Sequence, residues 1–248
     1  ASTASAIVVG GNLSITGTSA LTIGAVAFTV TGTTTINGGT LAHSSATGAK
    51  QYTGLVTLTT GTWSNAGNSA INYRGGLTVN GGTFTSGSGV YTFDTNDQSI
   101  SGSAAFTIAS VTITTITVTN GSTAGFTIST TFAGTGALTQ DTNAILNIGA
   151  TTVGPTLDAS ASGNIVNYNG TSQTIAISSY DTLKSNSAGT GASLAGTTTV
   201  TNLIIADVVS VPLYFYKGLT FSSFQFLVFT IIAILGYKEW KRFLQKTI

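Results

Sequence analysis

From Asn12 to about Leu203 the chain runs in short alternations of apolar and polar residues, such as Leu13-Ser14-Ile15, Phe28-Thr29-Val30, Leu77-Thr78-Val79, Phe106-Thr107-Ile108 and Phe126-Thr127-Ile128. A repeat of two sends successive side chains to opposite faces, so each run predicts a short strand with one face buried. Threonine and valine are stiff at χ1 and fit a pleated surface, while recurrent glycines disfavour helix. No helix is expected in this body.

Turn chemistry separates the runs. Asn37-Gly38, Asn80-Gly81, Asn120-Gly121 and Asn169-Gly170 are dipeptides that readily supply positive φ, so tight turns are expected at each. The runs also repeat. Tyr91-Thr92-Phe93-Asp94-Thr95-Asn96-Asp97-Gln98-Ser99-Ile100 aligns without gaps on Val166-Asn167-Tyr168-Asn169-Gly170-Thr171-Ser172-Gln173-Thr174-Ile175, and Ile71-Asn72-Tyr73 echoes the aromatic part. Gly32-Thr33-Thr34-Thr35-Ile36 matches Gly196-Thr197-Thr198-Thr199-Val200, and Phe106-Thr107-Ile108 returns twenty positions later as Phe126-Thr127-Ile128. Self-similarity on this scale marks stacked coils. The expected fold is an all-β, repeat-built β-solenoid, read as a right-handed parallel β-helix, with a C-terminal hydrophobic helical segment; an antiparallel β-sandwich array is the structural alternative.

The pattern changes after Asn202, which divides the chain into a Gly/Thr-rich body, 1–202, and a membrane-type tail, 203–248. Residues 219–236 form an uncharged stretch of about 18 residues, long enough to span a hydrocarbon core of about 30 Å. Tyr237 and Trp240 then stand where an interface is expected, followed by Lys238, Lys241, Arg242 and Lys246. That order predicts a membrane exit with a cytoplasmic C-terminus and the body outside.

Composition sharpens the division. Of 248 residues 31 are glycine, two are proline, and cysteine and methionine are absent. The core is therefore expected to be thin, made of Val, Ile, Ala and Thr, without disulfides or thiolate metal sites. The body carries Lys50, Arg74 and Lys184 against Asp94, Asp97, Asp141, Asp158 and Asp181, while the tail has five basic and two acidic residues. A slightly acidic body has no basic stripe for phosphates, so nucleic acid is not an expected partner. The opening run Ala1-Ser2-Thr3-Ala4-Ser5-Ala6 shows no secretion signal.

Candidate chemistry is sparse. His43, the single histidine, lies in a Ser/Gly/Ala stretch and reads as a polar loop residue, short of the partners that a triad or zinc site needs. Ser88 has the Gly87-Ser88-Gly89 surroundings of a nucleophile elbow without the strand-turn-helix context. Asp94 and Asp97 offer oxygens suited to Ca²⁺, although a solvated turn is the favoured reading. Paired aspartates across coils would suit glycoside hydrolysis, a remote carbohydrate-enzyme reading. Trp63, Tyr52, Tyr73 and Tyr91 would suit a sugar-binding platform, but a ladder in which Tyr73, Phe93 and Tyr168 stack in register is preferred. The expectation is a non-enzyme with no catalytic, cofactor or metal residues, the membrane as partner through 219–236, and host or matrix glycans or proteins as further partners.

Two resemblances add to this. Residues 164–175, Tyr180-Asp181-Thr182-Leu183 and Leu194-Ala195-Gly196-Thr197-Thr198-Thr199-Val200 resemble the strand repeats of bacterial cell-surface and autotransporter-like proteins. This implies display on a bacterial surface and an adhesin or stalk-like role, with no catalytic residues to carry over. The tail, with Asp207-Val208-Val209-Ser210-Val211-Pro212-Leu213-Tyr214-Phe215-Tyr216-Lys217-Gly218-Leu219 and then Ala233-Ile234-Leu235-Gly236-Tyr237-Lys238-Glu239-Trp240, resembles the C-terminal end of the nicotinamide mononucleotide or nicotinamide riboside transporter family. That family implies several membrane helices around a nucleoside site, and the preceding 200 residues hold no continuous apolar run long enough to be one. A recruited anchor, a join of two unrelated reading frames and convergence on a hydrophobic hairpin all remain open.

Overall fold

The computed structural model describes residues 6–205, 226–235, 237 and 238. The chain divides into two compact units, Ala1–Ile204 and Ile205–Ile248.

The first unit is a β-solenoid of about ten coils. Its strands form an eleven-stranded sheet from Ile7–Val9 to Thr199–Ile205, a ten-stranded sheet, and a two-stranded one made by Thr171–Ile175 and Ala188–Leu194. Successive strands of the eleven-stranded sheet appear in chain order, as one strand per coil requires. The described strand pairs are parallel; Phe106, Thr107 and Ile108 lie opposite Phe126, Thr127 and Ile128. The twenty-residue echo in the sequence is thus the register between neighbouring coils, and parallel pairing rules out the antiparallel sandwich.

Four long strands turn corners. Thr34–His43 pairs with Leu13–Thr16 at its first half and with Ala20–Ile23 at its second. Val56–Ser64 divides likewise between Leu77–Val79 and Thr83–Thr85. Further on, Phe106–Ile113 and Phe126–Gly134 pair with each other along both halves across a shift of register, with Val90–Phe93 on the second half of the former and Ile145–Ile148 on the first half of the latter. The first coils therefore have a third face, where the second halves of Thr34–His43 and Val56–Ser64 stack between Ala20–Ile23 and Thr83–Thr85.

The corner on Thr34–His43 and Val56–Ser64 is a column of glycines. Gly38, Gly61 and Gly82 have φ of 120°, 86° and 73°, and a Cβ built on each would meet backbone atoms of Gly17, Gly38 and Gly61 respectively. Both the left-handed backbone and the contact between coils demand glycine there. Of the four Asn-Gly glycines only Gly38 has positive φ, and it lies inside a strand rather than a hairpin. The expected Asn-Gly turns are corrected accordingly: parallel coils have no use for the tight hairpin, and Asn120 is buried instead.

Inward positions stack in columns, among them Val30, Tyr52, Tyr73, Phe93 and Ile113. The core is more aromatic than composition suggested: Trp63, Tyr52, Tyr73, Tyr91, Tyr168, Tyr180, Phe28, Phe93 and Phe126 are among the largest fully buried side chains. Threonine, by contrast, points outward, and Thr34 alone is buried among those described. Its hydroxyl stays solvated on the outer face, where Ser14, Thr35, Thr57, Thr78 and Ser101 form one continuous column.

The two block alignments fare differently. Gln98 and Gln173 do equivalent work: each accepts a backbone N–H and donates to two carbonyls, one of them the last residue of a strand in the preceding coil. The match of Gly32–Ile36 to Gly196–Val200 does not mark equivalent places, since Thr34 opens a strand of the ten-stranded sheet and Thr199 one of the eleven-stranded sheet.

In the second unit residues 226–235 are helical, with Phe229, Ile232 and Leu235 each more than half exposed. Ten residues rise about 15 Å, half the hydrocarbon thickness. Among the described residues no helix is long and apolar enough to cross a membrane. The expected span 219–236 lies in part outside the described residues, as do Trp240, Lys241, Arg242 and Lys246.

Candidate functional site

The densest chemistry lies inside the solenoid, where three successive coils bring His43, Tyr52, Trp63 and Tyr73 together. His43 ends strand Thr34–His43 and is buried, which corrects its reading as a loop residue. Its inward position follows from the alternation Leu41-Ala42-His43, which continues the strand beyond the last obvious apolar residue. Ring centroids separate His43 from Trp63 by 4.8 Å, Tyr52 from Trp63 by 5.2 Å and Tyr52 from Tyr73 by 6.0 Å. Trp63 stacks on half-buried Phe84 and donates its indole N–H to the Tyr91 hydroxyl at 3.3 Å.

Hydrogen bonding assigns the tautomer of His43. Nδ1 lies 3.3 Å from the Ser64 carbonyl, which can only accept, so Nδ1 carries the proton. Nε2 is then the acceptor for the Tyr52 hydroxyl at 2.6 Å. Burial lowers the imidazole pKa to about 4; the bond to Ser64 opposes this and the charge of Lys50 reinforces it. A histidine held neutral in the folded state and free to protonate at about 6.5 when unfolded has a definite linkage sign. Its contribution is complete above pH 6.5 and is lost as pH falls towards 4, amounting to about 3 kcal/mol. Denaturant melts across that window are expected to show this loss, and His43→Gln is expected to flatten it.

Lys50 is the second ionisable group in the core. Its ammonium donates to the carbonyls of Val26, Thr47 and Gly48 at 2.7, 2.9 and 2.6 Å. Three carbonyl dipoles use all three donors, and burial lowers the pKa. Asn65, Asn120, Gln140 and Asn164 are also buried, and the side chains of Asn120 and Gln140 bond to each other at 2.6 Å. Sequence reading missed these polar interior positions. Their only signal is that they occupy inward phases of the alternation.

The aromatic residues proposed for a sugar platform do not reach the surface: Trp63, Tyr52, Tyr73 and Tyr91 are each 0 % exposed. The ladder reading holds for Tyr73 and Phe93, which are paired in register with centroids 5.4 Å apart. Tyr168 is not part of it. It lies opposite Ile148 in a later stretch of the solenoid and bonds to the Tyr180 hydroxyl.

The five body aspartates are spent on the backbone or on one arginine. Asp94 pairs with Arg74 at 3.0 Å and also accepts from Asn72 and Thr95. Burial alone would raise its carboxyl, but hydrogen bonds from Thr95 and Asn72 and the charge of Arg74 outweigh that and hold it below the ordinary value. Asp97, Asp141, Asp158 and Asp181 each accept from a backbone N–H, of Thr117, Thr142, Ser160 and Gly163. Among the described residues no group of three or more His, Cys, Asp or Glu side chains could hold a metal. Ser88 sits in an exposed turn, its N–H held by Asn68, and the next element is strand Val90–Phe93.

Two open depressions of about 400 and 260 Å³ lie side by side on the later coils, around Thr152, Gly154, Thr174 and Ile177 and around Thr130, Phe132 and Thr151. Neither contains a titratable lining residue.

Set beside known proteins, residues 193–242 match the family model of the nicotinamide mononucleotide transporter. The match covers 50 of 248 residues and begins within strand Ala188–Leu194, so it takes in the last strand of the solenoid, Thr199–Ile205, and the tail as far as residue 242. No curated protein and no solved structure matches the chain.

Proposed function

We propose that this chain is a non-catalytic structural or adhesin-like protein of the bacterial cell surface or envelope, its solenoid outside and its C-terminal segment holding it to the membrane. The observation that carries this reading is the chemistry of the solenoid's outer faces. They are stacked hydroxyls and amides in register, such as Thr127, Asn147 and Asn167, joined side chain to side chain. Such a surface is wet, sparsely charged and extended, which suits a spacer or a weak contact with glycans or proteins. Body carboxylates are engaged in holding turns, leaving the wall rather than a cleft as the functional surface. Support for the anchor comes from the exposed apolar helix at 226–235, which has large hydrophobic side chains all round.

A second reading rests on the transporter-family match: the tail is a piece of a nicotinamide riboside or mononucleotide transporter, truncated or fused to an unrelated body. Fractionation of cells producing the full chain tests the anchor, with recovery in the membrane fraction expected. Recovery wholly in the soluble fraction would sink both readings. Uptake of radiolabelled nicotinamide riboside tests for transport directly; neither a surface protein nor a truncated piece is expected to give any above vector-only cells, and uptake above that level would overturn the surface-protein reading.

A further inference from the structure

The buried tyrosines of the solenoid differ in what their hydroxyls touch. Tyr73 has no hydrogen-bond partner for its hydroxyl. Tyr91 donates to the Ser86 carbonyl at 3.1 Å, and Tyr180 to the Ala176 carbonyl at 2.8 Å. Tyr168 shares its bond with Tyr180. None of these neighbours is a base. Among the five, Tyr52 alone points its O–H at one, the bare Nε2 of His43. Trp63 lies against both members of that pair, one layer beneath half-buried Phe84.

We infer that Tyr52 and His43 form a proton-coupled one-electron donor, the place where an oxidising hole entering the core through Trp63 comes to rest as a neutral tyrosyl radical. A one-electron oxidant at the surface takes an electron from Trp63 and is reduced, leaving an indole radical cation. Tyr52 returns an electron to Trp63. An oxidised phenol is a strong acid, so the Tyr52 O–H bond breaks and its proton passes to Nε2, giving a phenoxyl radical and an imidazolium. When a one-electron reductant at the surface gives an electron back and is itself oxidised, the proton returns from Nε2 to the phenolate oxygen and the pair is restored.

The surroundings favour this direction. Tyr73 and Tyr91 are phenols of the same kind close by, but neither has a base to take its proton, Tyr91 donating only to the Ser86 carbonyl, and a phenol that keeps its proton resists oxidation. The short bond removes any need for the ring to move before transfer. His43 is neutral near pH 7, so its acceptor position is free, and the nearby charge of Lys50 disfavours a lasting imidazolium and so returns the proton promptly. Both side chains are sealed from water, His43 being 1 % and Tyr52 0 % exposed, which keeps the radical from reaching another chain.

The test is flash oxidation of the full chain in detergent micelles, with a ruthenium(II) tris-bipyridine sensitiser and persulfate as electron acceptor, followed by transient absorption and electron paramagnetic resonance. The unaltered chain is expected to yield a phenoxyl signal that rises more slowly in D₂O than in H₂O. Tyr52→Phe, which preserves ring packing, is expected to lose that signal and leave the tryptophanyl radical. His43→Gln is expected to slow phenoxyl formation and abolish the isotope effect, in samples whose circular dichroism matches the parent. A phenoxyl signal of parental size in Tyr52→Phe, only a tryptophanyl radical in the unaltered chain, or no isotope effect there would each overturn the assignment.

Discussion

Gly61→Ala is expected to lower the stability of the solenoid by about 4 kcal/mol or to prevent its folding, a cost at the upper end for a single substitution. Two penalties coincide. Gly61 has φ of 86°, a left-handed conformation that costs an L-residue about 1–2 kcal/mol. The new Cβ would also fall far inside van der Waals contact distance of the Gly38 carbonyl carbon and oxygen, in the coil below. Backbone cannot swing aside as a flexible side chain can, so the two coils would have to part at the corner. Gly10→Ala supplies the control, because a Cβ there meets nothing within 4 Å. Urea melts followed by circular dichroism should separate the two variants, with Gly10→Ala within about 0.5 kcal/mol of the parent. Parental stability in Gly61→Ala would refute the stacked-glycine corner.

Trp63→Ala is expected to cost about 4 kcal/mol, in the range for emptying a large aromatic site. The indole touches four rings, those of His43, Tyr52, Tyr73 and Phe84, and gives its N–H to Tyr91. Apart from Tyr52, which shares its coil, these belong to the coils on both sides of it, so collapse around the hole would require the coils to shift against each other. In a stacked array each coil contacts chiefly its neighbours, so the damage should be local. Hydrogen exchange is expected to accelerate first in strands Thr34–His43, Val56–Ser64 and Thr83–Thr85, while Ile145–Ile148 keeps its protection. Added indole is expected to raise the melting temperature of Trp63→Ala and not that of the parent. Failure of indole to do so, with uniform loss of protection along the solenoid, would argue against a discrete ring-lined site.

The legible part of this protein was its period. Leu13-Ser14-Ile15 and its many counterparts alternate because each strand has one face inside, and the Phe106/Phe126 echo gives the coil length because neighbouring coils share a core. The same reasoning found Gln98 and Gln173 as a matched pair. It went astray where a residue's effect depends on what lies across the coil. Asn-Gly dipeptides have the same local preference in a hairpin as in a parallel corner, and only the stacking of Gly38 on Gly17 selects the corner. His43 looked like loop because its neighbours are small and polar, yet its partners, Tyr52 and Ser64, lie 9 and 21 residues away.

By itself, then, the amino-acid sequence determined that the body is all β, that it is built of short repeated strands, and that a different, apolar text replaces it near residue 203. These are consequences of local stereochemistry and of alternation, which act within a few residues. Only the tertiary structure decided that the strands are parallel, that aromatic rings rather than small side chains fill the first coils, and that His43 and Lys50 are buried and satisfied. Those outcomes turn on contacts more than twenty residues apart, such as His43 with Ser64 and Lys50 with Val26, where one coil becomes the floor for the next and local preference has no say.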